Sequence, residues 1–216
     1  MQVMALMTGR SALLPDGKRT AIAKSPVAGP VRIGRLGLEG DVQVNRRHHG
    51  GPEMAVHIYP LAHHGFWRER LGDHPLLEQP GAFGGNIAIE DLDETQVRIG
   101  ERFVLGSAVL EVSQPRMPCA TIERHFQRKG MVAAILASGR CGWYVRVVTE
   151  GEAQAGDGLV RLADTGSSLS VRTVFCAVAE PARPASAELL AEIADCSELA
   201  AEWREKAGRK LARPEV

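Results

Sequence analysis

Short apolar or alternating runs, each halted within a few residues by glycine or proline, fill the first 165 positions of this 216-residue chain. Glycine and proline stop helices from propagating, whereas a run of a few residues is long enough for a strand, so this punctuation restricts the segment to strands joined by turns. The runs at 3–7, 21–24, 31–33, 56–59, 85–89, 96–99, 103–105, 108–113, 143–149 and 158–162 predict a barrel or sandwich. Two stretches carry helical spacing instead: 61–71, with Phe66 and Trp67, and 122–138, with Met131, Ile135 and Leu136 placed to cover an open end of the sheet. Beyond the polar stretch 164–168 the chain turns to alanine and glutamate, with Leu199, Trp203, Ala207 and Leu211 at helical spacing. Ser170 caps a first helix to about residue 179, Ser186 caps a second to residue 194, and Asp195 with Glu198 forms a capping-box pattern for a third. The expectation is a mainly β, barrel-like domain over 1–165 with a few covering helices, followed by a small three-helix bundle over 166–216.

The 26 basic and 26 acidic side chains balance, so no global field draws in a nucleic-acid polymer or an anionic membrane, and any basic site is local. The opening residues Met1 to Met7 are apolar but lack a basic flank and stop at Thr8-Gly9-Arg10, which predicts neither a signal peptide nor a spanning helix. A cytoplasmic chain is expected. The four cysteines, at 119, 141, 176 and 196, form no Cys-x-x-Cys pair, which argues against a zinc knuckle or a redox pair and predicts thiols.

Ser113-Gln114-Pro115-Arg116-Met117-Pro118-Cys119 places a thiol at the end of a loop stiffened by two prolines, directly after a strand-like run. A nearby cation favours the thiolate, so Arg116 suits Cys119 to the role of soft metal ligand or nucleophile; the alternative is a small buried hydrophobe. Asn45-Arg46-Arg47-His48-His49-Gly50-Gly51-Pro52 concentrates cations and imidazoles beside glycines whose bare backbone amides approach an anion, as a phosphate site requires. Adjacent side chains on an extended chain point apart, so the two histidines do not suit one shared metal, and His49 is the stronger candidate because it stands next to the glycines. Asp41, in Gly37-Leu38-Glu39-Gly40-Asp41, is either a site carboxylate or the acceptor in a simple turn; Asn86, after Gly81-Ala82-Phe83-Gly84-Gly85, either bonds a ligand or closes its loop. Asp91-Leu92-Asp93-Glu94 reads as a solvated turn. Cys141, Cys176 and Cys196 read as structural.

Taken in order, these motifs resemble the MOSC (molybdenum cofactor sulfurase C-terminal) domain family, in the branch associated with resistance to 6-hydroxylaminopurine. The resemblance rests on Ala21-Ile22-Ala23-Lys24, Gly37 to Asp41, His49-Gly50-Gly51-Pro52, Phe83-Gly84, Gln114-Pro115-Arg116-x-Pro118-Cys119, Gly139-Arg140-x-Gly142-Trp143-Tyr144 and Ala155-Gly156-Asp157, and the helical tail is similar to that branch's three-helix appendage. It implies a domain that binds molybdenum cofactor (molybdopterin), with Cys119 as the thiolate ligand to molybdenum. Arg116, Lys24, Asp41, His48, Gly50, Gly51 and Asn86 then belong to the cofactor-binding loops. The implied chemistry is reduction of a small N-hydroxylated substrate, such as a hydroxylaminopurine-type base, with protons from water or His49 and electrons from a partner reductase. The alternative within the same resemblance is a carrier of cofactor or of persulfide sulfur that turns nothing over. The chain departs from the branch at Gly85, where glutamate is usual, and at Thr121, where lysine is common. No pyridoxal-phosphate desulfurase segment fits in the chain, so that cofactor is not expected. Oligomeric state is not legible in the sequence.

Overall fold

The computed structural model describes residues 1–14, 16–44, 50–163, 165–180 and 184–212. In chain order the elements are β1 (Val3–Gly9), β2 (Ala12–Leu13), β3 (Arg19–Thr20), β4 (Lys24–Pro26), β5 (Val31–Gly34), β6 (Gly37–Leu38), β7 (Val56–Pro60), α1 (His63–Leu71), β8 (Ile87–Ile89), β9 (Arg102–Leu105), β10 (Ala108–Pro115), α2 (Thr121–His125), α3 (Met131–Ser138), β11 (Trp143–Thr149), β12 (Gly151–Ala153), β13 (Leu159–Arg161), α4 (Val171–Ala179), α5 (Ala187–Asp195) and α6 (Ala201–Leu211). Eight strands form one sheet in the order β13-β9-β10-β11-β7-β8-β1-β4, antiparallel except for the β7–β8 pair. The sheet curls until its β13 edge reaches β1, the strand next to the opposite edge: Leu159 N–H donates to Met1 O at 2.8 Å and Val3 N–H to Asp157 O at 3.0 Å. The expected mainly β, barrel-like architecture is what the chain adopts. Along β11 the alternation drives this packing, since Trp143 and Val145 are buried while Tyr144 and Arg146 lie on the opposite face.

Several boundaries differ from the sequence reading. The run 96–99 is not a strand; only Arg98 pairs, in an isolated bridge to Ser170. Of the run 21–24 only Lys24 is in a strand, at the start of β4; residues 21–23 are in none. The single helix expected over 122–138 is two, because Gln127 (φ 48°) and Gly130 (φ 84°) take left-handed backbone between them. The Glu123 carboxylate then accepts from Gly130 N–H at 2.8 Å and Val132 N–H at 3.3 Å, closing the start of α3.

The tail helices start where two of the three capping signals place them. Ser170 Oγ accepts from Thr173 N–H and Ser186 Oγ from Leu189 N–H. The third signal does not act as a cap: Asp195 ends α5, and α6 begins after Ala200, whose N–H instead donates to Ser113 O of β10 at 3.0 Å. Docking to the sheet therefore sets that helix start. Arg146 strengthens the joint by donating to Glu111 at 2.6 Å and to Glu198 O at 2.8 Å. Phe175 and Trp203 share one continuous apolar core with the barrel residues Val97 and Val112. Trp203→Ala is therefore expected to cost about 3–5 kcal/mol of whole-chain stability, measured by urea denaturation; a loss below about 1 kcal/mol would show that the joint is not a packed core.

Candidate functional site

One end of the barrel opens into a cavity of about 300 Å³, walled by the loops after β6 and β10, the strands β4, β7 and β11, the β2–β3 hairpin and α2. Pairing with β11 brings the key loop there: Gln114 lies opposite Tyr144 and Pro115 opposite Trp143. The strand thus runs two residues past Ser113, into the first proline. Pro115 is tolerated because no residue of β9 lies opposite it, so its missing N–H breaks no ladder on that side. After Pro115 the chain leaves the sheet, and Arg116 N–H donates to Gly142 O at 3.1 Å. The Arg116 side chain is buried and hydrogen-bonds the Tyr144 phenol. Cys119 lines the same cavity and is partly exposed.

Lys24, Asp41, Gly50, Asn86, Arg116 and Cys119, from distant parts of the sequence, all line this space. Gly51 stands behind it, at φ 87°, ahead of the turn Pro52–Met54. His48 and His49, with Arg46 and Arg47, lie outside the described residues. Gly50 has φ 140°, a backbone conformation that strains residues other than glycine, and a Cβ there would also displace the Gln43 side-chain amide, 2.1 Å away.

Lys24 and Asp41 face each other instead of standing as separate contacts. The ammonium donates to Oδ1 at 2.6 Å and Oδ2 at 2.5 Å. Asp41 also accepts from Gly9 N–H at 2.7 Å and from Asn86 Nδ2 at 2.8 Å, while Asn86 Oδ1 accepts from His57 N–H at 3.1 Å. This chain of bonds stitches β1, β4, β7 and the segment before β8 together at the cavity wall. Burial lowers the pKa of Lys24, and Asp41 opposes that shift only in part.

Five contributors escaped the sequence reading. His57, on a strand buried at every position, lies against the Tyr144 ring with 5.1 Å between centroids, and its two ring nitrogens face Gly84 O at 3.2 Å and Cys141 O at 3.3 Å. Burial first, and the Arg116 charge second, depress its pKa to about 3, so the ring is neutral. A histidine inside an otherwise apolar strand was the available signal. Tyr144 sits in a motif that was noted but not assigned a role. Lys18 and Arg19 from the hairpin and Arg124 from α2 add cations at the mouth, with Arg124 held at 3.1 Å by Asp16. Of the two departures from the family pattern, Thr121 lines the cavity, and Gly85 is buried with its Cβ direction 3.0 Å from Tyr59 Cβ.

Glu94 corrects the reading of 91–94 as a solvated turn. Its carboxylate is buried, bonded to His63 Nε2 at 2.7 Å and accepting from Gly142 N–H at 2.6 Å. It thereby holds the residue whose carbonyl receives Arg116 N–H. Glu94→Ala should cost about 1–3 kcal/mol of stability, since it leaves the buried Gly142 N–H without its acceptor. It should also loosen the Arg116 loop, detectable as faster amide exchange at Arg116; unchanged exchange there would separate Glu94 from the site.

The described lining of the cavity thus combines cationic side chains with the Cys119 thiol. Among the described residues, no group of three His, Cys, Asp or Glu side chains is placed to hold a metal ion by itself. The MOSC domain profile matches residues 45–160, more than half of the chain. The chain belongs to the MOSC domain family. It is 35% identical over 165 residues to protein YiiM of Escherichia coli, covering 76% of this chain and 73% of that protein. It is 39% identical over 173 residues to YflK of Bacillus subtilis, covering 79% and 77%. The crystal structure of YiiM from Geobacillus stearothermophilus superposes with a TM-score of 0.81 at 31% identity, over 98% of this chain and 99% of that one. A Gibberella moniliformis protein named a reductase is 35% identical over 181 residues, covering 83% of this MOSC chain but only 31% of that longer protein.

Proposed function

We propose that this MOSC protein binds the molybdenum cofactor in the barrel-end cavity and reduces small N-hydroxylated substrates, hydroxylaminopurine-type bases among them. The observation that carries this reading is a partly exposed Cys119 beside a buried Arg116 in a cavity whose described lining holds five cationic side chains, Lys18, Arg19, Lys24, Arg116 and Arg124, against the one carboxylate of Asp41. A single thiol is too few ligands for a bare ion but suits a metal that brings its own sulfur donors, and surplus positive charge suits a phosphate. The donor set therefore fits the cofactor.

When bound, the cofactor supplies a two-electron redox couple. The chain's part is to hold and shield it: Cys119 offers the thiolate, Arg116 and the mouth cations meet the anionic end, and neutral His57 with Tyr144 closes the inner wall. Net reduction of an N-hydroxylamine to amine and water consumes two electrons and two protons, so an electron-donating reductase is required as partner. The reductase name of the longer Gibberella relative supports that direction. Four thiols with no disulfide fit a cytoplasmic setting, and among the described residues no helix is long and apolar enough to cross a membrane.

Protein produced in a host that assembles the cofactor should carry stoichiometric molybdenum and pterin, and should reduce an N-hydroxylated base with an artificial donor. Metal-free protein from such a host would overturn the reading. Full loading without turnover of any N-hydroxylated substrate would favour the carrier function instead.

A further inference from the structure

Breaking an N–O bond by reduction leaves a nitrogen that must gain a proton, and a positioned side chain of the cavity wall can supply it. Among the described residues, the titratable and charged groups around the cavity are Asp41 after β6, His57 on β7, Arg116 and Cys119 after β10, Tyr144 on β11, Lys18 and Arg19 of the hairpin, Arg124 on α2, and Lys24 on β4. Most cannot serve. Guanidinium groups do not release a proton in proteins. His57 is neutral and its two ring nitrogens are turned to backbone carbonyls. Tyr144 holds its proton more tightly than an ordinary phenol, because burial outweighs its bond with Arg116. Asp41 is occupied by Lys24, Gly9 N–H and Asn86. Lys18 is exposed at the rim, and Cys119 is the metal ligand in the reading proposed above.

We infer that Lys24 is the general acid of the site, delivering a proton to the substrate nitrogen as the N–O bond breaks, with Asp41 as the positioning residue that aims its ammonium. The inference rests on the cofactor-dependent reduction proposed above. It is carried by geometry: an ammonium about nine-tenths buried, with two of its three N–H bonds spent on one carboxylate at 2.5 and 2.6 Å, sits in the wall of the cavity that also holds Cys119. Its lowered pKa matches the task, since an acid works best when its pKa approaches the working pH. The balance closes. R–NH–OH takes two electrons supplied by the partner reductase; the nitrogen gains the Lys24 proton; the hydroxyl oxygen leaves as water with one further proton from solvent, and Lys24 is reprotonated through the cavity mouth.

The sign of the pH dependence follows. Activity needs Lys24 protonated, so turnover should fall as pH rises through its lowered pKa. Lys24→Arg keeps the charge and the Asp41 pair but cannot give up a proton. It should retain bound molybdenum, keep KM within a few-fold, lower kcat by about 100-fold or more and abolish that alkaline limb. Lys24→Ala should recover part of the lost rate with added ethylamine. Independently of turnover, NMR titration of the labelled lysine in cofactor-free protein should place Lys24 below the ordinary lysine range. An ordinary titration, a Lys24→Arg variant with wild-type kcat, or loss of the proton step in His49→Ala alone would overturn the assignment while leaving the reductase reading intact. Loaded wild-type protein that reduces no N-hydroxylated compound would instead remove that reading, and the acid role with it. If Lys24→Arg fails to fold or to load, the lysine titration and amine rescue decide the matter.

Discussion

Cys119→Ser should empty the site of molybdenum, or leave any retained cofactor inactive, with turnover reduced by more than about 100-fold, beyond the range typical for groups that only support a ligand. The physical ground is softness: an alcohol oxygen is a poor ligand for a metal that prefers thiolate, while serine is close enough in size to preserve the loop. The fold should survive, because Cys119 is only partly buried and the loop is positioned through Arg116 N–H and the β10–β11 register, neither of which involves the sulfur. Cys141→Ser is the matched comparison. Its thiol is sealed in the core, with a pKa raised by burial, and it donates to Gly142 O, a bond that serine retains. Molybdenum analysis, activity and thermal denaturation of both variants distinguish the cases. Wild-type metal content and rate in Cys119→Ser, or an equal loss in Cys141→Ser, would mean that the wrong thiol has been assigned.

Acid should unfold the protein earlier than its carboxylates alone would dictate, because of His57. Two backbone carbonyls beside its ring nitrogens favour the imidazolium, yet complete burial, aided by Arg116, outweighs them and leaves a folded-state pKa of about 3 against the ordinary 6.5. The folded state therefore refuses a proton that the unfolded chain accepts as pH falls below 6.5. Stability attributable to this group is fully present above that value and is lost progressively between pH 6.5 and about 3, to a total on the order of 5 kcal/mol. Comparing urea midpoints at pH 7 and pH 4 for the wild type and for His57→Gln isolates the contribution, since the remaining groups are shared. The variant should show the shallower loss. A His57 ring resonance that titrates near 6.5 in the folded protein would refute the argument.

The same contrast between local and distant causes separates what was readable from what was not. Strand punctuation, the stiff loop ending at Cys119 and the caps at Ser170 and Ser186 are written within a few neighbouring residues, since a proline ring or a capping hydroxyl acts on its own backbone or on an amide three positions away. Both caps and most of the strand runs agree with the structure; the runs 21–24 and 96–99 do not. The capping pattern at Asp195 and Glu198 has the same local form but does not start α6, because Ala200 N–H bonds to Ser113 instead and docking prevails over local preference. The continuous helix over 122–138 fails for a comparable reason: periodicity alone does not register that Gln127 and Gly130 turn the backbone between two helices.

By itself the sequence determined the family, the strand-rich architecture and the thiol loop, because each depends on residue types at fixed short spacing. Tertiary structure alone decided that Lys24 and Asp41 are partners, that Glu94 is buried beneath Gly142, and that His57 and Tyr144 join the cavity wall. Their partners lie 17 to 87 positions apart in the chain. Only when the sheet curls and β7, β10 and β11 align do burial and charge bring those groups within bonding distance, and burial is what converts ordinary polar side chains into groups with shifted chemistry.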